Sequence, residues 1–543
     1  MKKFYFKILF LTLLLFIVRV SVAQDLPPIV KYNAPIYGAG NQNWMISQDK
    51  SQFIYFANNE GLLEFNGSAW TLYNSPNESI VRSVKVIDNK IYTGCYMEFG
   101  YWTKQTDGHL SYTSLSNKIK STILDDEQFW NILNYEQWVI FQSLNRMYIY
   151  DTKTKKFSII TPENDILKSF GVANSIYFQT QNGGLFEIEN GNSKLVSNNP
   201  VLQKNKIVNI FSTHEGLLIQ TQSSGFFQFI SGTLTKFNTE ADAILSQSSI
   251  YSSQRLSDGS FAIGTISNGV FVLSSDGKIK YNIDQNKGLS NNTVLSLFED
   301  NDKNLWIGLD NGINCINVQT PVKCFSDNTG ILGTVYASIL FQNKLYIGTN
   351  QGLFYKNYGS AEGFKFMSGT KGQVWSLFVF EGDLFCGHDS GTFIIDSITA
   401  KCIFSQSGTW KFLPIPNQKD KLLQGNYYGL SVLQKVDNKW TFRNRIKGFN
   451  YSAKYFELSN ANDLYISHEY KGIFRVRLDN ALTKLESTYI YTSPTKGKNA
   501  CLAKFNGAIY YAYKSGIYKL NSSSKLFERE STLSKIFEND EYT

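Results

Sequence analysis

The feature that most constrains this chain is a phrase that recurs along it: an apolar strand, a small turn, a glycine and a second apolar strand. It is clearest at 304–318, NLWIGLDNGINCINV, and at 344–357, KLYIGTNQGLFYKN. The anchor glycines fall at Gly61, Gly184, Gly225, Gly269, Gly312, Gly352, Gly391, Gly429, Gly472 and Gly516, and degenerate copies near Phe99 and Arg146 fill the one wide gap. The period is roughly 40 residues, the range of four-stranded propeller blades. A lone four-stranded sheet cannot bury both faces, so radial packing of blades is the expected solution.

Composition agrees with an all-β chain. Phe, Tyr and Trp make up 15% of it against only 10 prolines, the signature of many short twisted strands punctuated by Gly, Asn and Ser turns. Twelve units are counted between residues 30 and 543, too many for one ordinary propeller. The reading is tandem β-propellers: a first of about seven blades over 24–326 and a second, incomplete one over 327–543. In the best copy, 294–299 is the first strand, with its apolar residues toward the blade face, NDKN turns the chain, LWIGL and INCINV follow, and VKCF (322–325) is expected as the outer fourth strand. Trp306 and Tyr346 suit blade-to-blade contact, and the small residue after them suits a crowded inner region. An incomplete second ring would leave unprotected edges; either it closes with five or six blades or the chain is a fragment, and the fragment is the reading taken.

The N-terminus carries Lys2, Lys3 and Lys7, an apolar run over 8–18, and small residues at Ser21 and Ala23. This is the pattern of a signal peptide over 1–23, so the chain is expected to be exported to the periplasm or beyond. Removing that segment with its Arg19 lowers the formal charge of +8 to about +4. No basic stripe remains, which argues against direct nucleic-acid binding. The cysteines, Cys95, Cys315, Cys324, Cys386, Cys402 and Cys501, form no CxxC pair, so zinc and dithiol chemistry are not indicated. Cys315 and Cys324 flank a turn; a cross-strand disulfide and two buried thiols are both open readings.

The stretch GLSNNTVLSLFEDNDKNLWIGLDNGINCI (288–316) resembles the two-component-regulator propeller repeat, with its lead-in, acidic turn, LWIG and an NGI where the family usually has GGL. The N-terminal passages GAGNQNWMISQDKSQFIYFANNEGLLEFNG and IYTGCYMEFGYW look most like the LuxR-type branch. The resemblance implies an exported sensor region of two seven-bladed propellers. In that family a triple-tyrosine β-sandwich and a membrane helix follow, then a histidine kinase or LuxR-type output. The membrane anchor and output would lie in a missing C-terminal part, and homodimerisation is expected only by analogy with signalling sensors.

Candidate ligand-binding residues lie where a blade departs from its template or where loops are expected to reach a channel mouth. CYMEFGYW offers Glu98, Tyr101 and Trp102; GNQNW offers Trp44; SIVRSV offers Arg82; and CGHDSG offers His388 in a turn. Each has a plainer reading, as a diverged blade, a core aromatic, a solvated arginine or a local turn. The four histidines, His109, His214, His388 and His468, are scattered, and no spacing predicts a metal site. There is no GxSxG elbow and no P-loop. No catalytic residue and no cofactor are therefore assigned. The leading reading is a non-catalytic sensor that binds a glycan or a protein ligand. The alternatives are a secreted propeller carbohydrate-active enzyme, a lyase or glycosidase, or a glycan-binding protein.

Overall fold

The computed structural model describes residues 26–189, 191–325, 330–360, 362–497 and 499–536. The expected signal peptide (1–23), the expected boundary at 326/327 and the final segment 537–543 lie outside the described residues. Almost every described element is a strand, and the strands form twelve four-stranded antiparallel sheets. The chain divides into two compact units, Asp25–Asn328 and Thr329–Thr543.

The first unit holds seven blades. Six are consecutive meanders, beginning with the inner strands Asn43–Gln48, Ser83–Ile87, Asn131–Tyr135, Ile166–Val172, Ile207–Ser212 and Ile250–Arg255. The seventh takes three strands, Val294–Glu299, Leu305–Leu309 and Ile313–Ile316, from the end of the unit. Its outermost strand, Ile29–Tyr32, comes from the beginning and pairs Ile29 with Ile316 and Tyr32 with Ile313. This corrects the reading of VKCF as the fourth strand. Residues 322–325 lie outside that sheet, where Cys324 bridges to Leu26. Cys315 and Cys324 therefore do not face each other across a hairpin, and both are free thiols.

Side chains at the inner strands clip each blade to the next. Ser83 Oγ donates to Phe129 O, Asn131 Nδ2 to Ser169 O, Lys168 Nζ to Val208 O, and Asn209 Nδ2 to Ser253 O, each at 2.8 Å. Ser252 Oγ reaches Val294 O at 3.3 Å, and Ser296 Oγ reaches Asn43 O at 2.9 Å, which carries the series from blade seven back to blade one. The ring is closed.

The same seam explains the conserved wording of the repeat within this chain. Trp306 is 5% exposed and packs near Tyr32, Phe56 and Phe65, with ring centroids 6.0, 5.8 and 5.5 Å away. Its Nε1 donates at 2.8 Å to Asp300, whose carboxylate also accepts from Asn304. The acidic turn thus holds the tryptophan's polar edge while its body fills the gap between blades. Two glycine positions have distinct causes. At the anchor, a Cβ on Gly391 (φ +144°) would sit 1.8 Å from Phe404 O on the outer strand. At the LWIG position, a Cβ on Gly308 would sit 2.6 Å from Asn43 O of the next blade.

The second unit has five blades, whose inner strands are Val335–Phe341, Val374–Phe380, Thr409–Ile415, Tyr455–Leu458 and Cys501–Phe505. They neighbour one another in series. Tyr346 repeats the role of Trp306: it is 1% exposed, and its hydroxyl donates to Ser397 O of the following blade at 3.2 Å.

Candidate ligand-binding collar

A β-bulge recurs at one place in the repeat. Where the inner strand begins, the register with its neighbour skips one residue, between Asn43 and Met45, Ile166 and Lys168, Ile207 and Asn209, Ile250 and Ser252, and Val294 and Ser296. The skipped residue is released from the sheet's alternation and its side chain is re-aimed. Arg82 and Trp130 hold the corresponding positions of blades two and three, just before the first paired residue, with their N–H groups donating to Gly94 O and Gln142 O. Around the first ring this position therefore reads Trp44, Arg82, Trp130, Leu167, Val208, Tyr251 and Leu295.

Two of the three aliphatic residues at this position close up, with Val208 3% and Leu295 6% exposed, while Leu167 stays half-buried. The aromatic ones and Arg82 stay partly open. The Arg82 guanidinium lies between two indoles, 4.5 Å from the Trp44 centroid and 4.8 Å from that of Trp130. The two tryptophans meet edge to face at 6.4 Å. Arg82 Nε donates to Gln128 Oε1 at 3.1 Å. Its two terminal nitrogens have no protein partner among the described residues. Burial lowers its pKa from the ordinary arginine value, an effect the Tyr251 hydroxyl opposes; arginine stays cationic all the same. Trp44 also rests against the core between blades one and two, and its Nε1 donates to Asn59 Oδ1 at 2.8 Å. Asn59 in turn binds Gln42, and Gln42 donates to Asp310 of blade seven at 2.5 Å. The indole is fixed, and its plane is not free to swing away from Arg82.

The structure thus brings together Trp44 and Arg82 and adds Trp130, which sequence reasoning missed. It does not bring in the CYMEFGYW group. Glu98 accepts from Tyr112 OH and Ser114 Oγ, both at 2.9 Å. Tyr101 is covered by Lys90, 3.9 Å above its ring. Trp102 is 5% exposed and donates to Thr93 Oγ1 at 3.0 Å. Tyr101 and Trp102 are successive residues of one strand, so their side chains leave on opposite faces. His388 is 1% exposed, packs 5.2 Å from Phe393 and is held by Ser390 and the Thr370 carbonyl. Its ring is committed to its own turn and to the segment that precedes its blade.

In the second unit the bulge recurs between Val335 and Ala337, Val374 and Ser376, and Thr409 and Lys411, releasing Tyr336, Trp375 and Trp410. Lys454 takes the matching place before Tyr455, the first paired residue of the next inner strand. Among the described residues no group of three or more His, Cys, Asp or Glu is placed to hold a metal, and no helix is long and apolar enough to cross a membrane.

Comparison with known proteins agrees with this architecture. Residues 288–311 match the two component regulator propeller family. The extracellular domain of BT3049 from B. thetaiotaomicron, named as a hybrid two component system, is 17% identical, with a TM-score of 0.68 over 94% of this chain and 73% of that one. The extracellular domain of BT4673 from the same organism, named as a one component system, is 16% identical with a TM-score of 0.44, over 93% of this chain and 73% of that one. No curated protein sequence matches. With twelve blades and a closed seven-bladed ring, the chain is a β-propeller protein, one segment of which, spanning the 299–304 acidic turn and the LWIG strand, matches the two component regulator propeller family.

Proposed function

We propose that this chain is an exported, non-catalytic ligand-sensing region of a bacterial signalling regulator, and that it binds an acidic glycan at the mouth of the first ring. One observation carries the reading: Arg82 is clamped between Trp44 and Trp130 with both terminal nitrogens unpaired among the described residues. A guanidinium in that state offers a planar two-donor fork, which matches a carboxylate or a sulfate. Each flanking indole adds about 0.5–2 kcal/mol of cation–π attraction, so the fork is held in place before any ligand arrives. The indoles also provide flat apolar surface against which the C–H face of a pyranose can lie.

A non-catalytic role is supported by the state of Asp310, the acid linked to Trp44 through Asn59 and Gln42. It is engaged by Gln42, where a glycosidase or lyase needs carboxyls poised over a bond. Export is supported by the apolar N-terminal segment of the sequence and by the fold shared with an extracellular domain. Sensing then requires that ligand bind two arrangements of the regulator unequally, since equal binding would shift nothing. The membrane anchor and output domain that the repeat type implies would receive that shift.

The test is native gel electrophoresis of the whole chain through polygalacturonate, chondroitin sulfate, and neutral β-glucan and mannan. Retardation by an acidic polymer that R82Q abolishes is the expected result. Equal retardation of wild type and R82Q, retardation by neutral polymers alone, or steady depolymerisation of the polymer would overturn the reading.

A further inference from the structure

The second unit carries a rim of different chemistry. Tyr336, Trp375 and Trp410, released by bulges in three successive blades, form a continuous aromatic run with ring centroids 4.7 and 4.9 Å apart. Tyr427 extends it, 4.7 Å from Trp410. Both indole N–H groups are tied to the protein: Trp375 Nε1 donates to Tyr427 OH at 2.7 Å, and Trp410 Nε1 to Ser452 Oγ at 2.9 Å. Their edges are therefore spoken for, and what they can offer a ligand is their faces. Neither is buried, and Tyr336 is 41% exposed. Keeping large rings partly wet forgoes hydrophobic stabilisation of roughly 25 cal/mol per Å², which Val208 and Leu295 at this position in the first ring do gain.

Beside Trp410 lies a concavity of about 200 Å³ lined by Ser452, Lys454, Tyr455, Ser467, His468 and Glu469, among others. It is smaller than the roughly 300–1,000 Å³ of a drug-sized ligand's pocket, and suits one ring. His468 Nδ1 accepts the Tyr470 N–H at 3.2 Å, so the neutral ring carries its proton on Nε2 as a donor. Lys454 sits 5.4 Å from the Trp410 centroid and 5.1 Å from that of Tyr455. A run of partly exposed aromatic rings, tilted 33–42° to one another and flanked beside Trp410 by short hydroxyls, an ammonium, an imidazole and a carboxylate, matches a molecule with one apolar face and an equatorial belt of hydroxyls.

We propose that this rim is a second, separate carbohydrate-binding site, in which pyranose rings stack on Trp375 and Trp410 while Ser452, Lys454, His468 and Glu469 bond the sugar hydroxyls. It rests on its own residues and stands or falls independently of the Arg82 site. Two aromatic platforms side by side suit at least a disaccharide, with one unit over each indole. The ligand is recognised through stacking and hydroxyl contacts, so it needs no acidic group and its binding is only weakly dependent on salt.

The experiment is affinity electrophoresis of the whole chain through β-glucan, arabinan, xylan, mannan and galactan, followed by calorimetric titration with the matching oligosaccharide. W410A and W375A are each expected to weaken binding of a neutral polymer at least tenfold, with R82Q leaving it unchanged. Tryptophan fluorescence of wild type should shift on titration, a readout that survives if W410A misfolds; W410F then serves as the conservative variant and should bind measurably. Failure of every neutral polymer to retard the wild type, or undiminished binding by folded W410A and W375A, would overturn the proposal. Binding of an oligothymidylate that competes at these tryptophans, without sugar binding, would also overturn it.

Discussion

Replacing Trp306 by alanine should damage the first ring at its closing seam. The indole is 5% exposed, touches the closing strand through Tyr32, and packs on Phe56 and Phe65 of blade one. Truncating a buried tryptophan costs about 3–5 kcal/mol, because transfer free energy is lost and a cavity remains. Asp300 keeps Asn304 as a donor in the variant, so no buried carboxylate is orphaned and no further charge penalty arises. For a unit of roughly 300 residues the unfolding entropy converts 4 kcal/mol into a Tm loss of about 6 °C. W306F separates the two contributions: it keeps most of the packing and loses one hydrogen bond, about 1–1.5 kcal/mol, or about 2 °C. Scanning calorimetry of the whole chain reads the shift, and hydrogen exchange localises it. Protection should fall in Ile54–Asn58, Ile29–Tyr32 and Leu305–Leu309 and hold in Asp463–His468. A loss under 2 °C for W306A would refute the packing argument. A W306F loss equal to that of W306A would show that the Asp300 bond, and not the filled seam, dominates.

Two other predictions concern backbone and charge. Gly391→Ala forces a Cβ to within 1.8 Å of Phe404 O at φ +144°, so it should destabilise the second unit by at least about 2 kcal/mol in urea titration, while Gly382→Ala, with nothing within 4 Å, should cost about 1 kcal/mol. Lys168, half-buried and bonded to Val208 O, has its pKa pushed down to about 8 by burial, with Lys206 adding to the effect. The folded chain then binds fewer protons here than the unfolded chain above pH 8, so this residue's contribution to stability rises with pH, by at most about 1.4 kcal/mol per unit. The difference between wild type and K168M should show that slope between pH 8 and 9.5 and be flat below pH 7; a flat difference throughout would refute it.

The parts of this molecule that were readable in its sequence are those with a local cause. The anchor glycines all take a positive φ, and at several of them, Gly61, Gly184, Gly269, Gly391 and Gly429, a backbone carbonyl would also meet a Cβ; the LWIG pair is dictated by a filled seam and a close backbone. Both recur at fixed spacing, so periodicity exposes them. The seam's final strand was not readable, because Ile29–Tyr32 pairs with residues far along the chain and its pattern, IVKY, is too short to name its partner. The four residues of VKCF sat where a local meander would continue and drew the assignment instead. At the collar, Trp44 and Arg82 stood out as unusual residues near strand starts. Trp130 escaped notice because its blade lacks the anchor glycine, though it occupies the same place before its inner strand as Arg82 does before its own. Aligning units on the inner strand, where the bulge lies, would have found it. Glu98, Tyr101 and Trp102 drew attention because their blade is irregular, yet that irregularity is absorbed by packing against Tyr112, Tyr92 and Tyr73.

The most direct measurement is a crystal structure of the chain soaked with an oligogalacturonate or a sulfated disaccharide. The account predicts density at the first ring's mouth, with a carboxylate or sulfate bridging the two terminal nitrogens of Arg82 and a sugar ring lying against Trp44 or Trp130. Clear ligand density elsewhere on the first unit, with the Arg82 nitrogens left unoccupied, would contradict it.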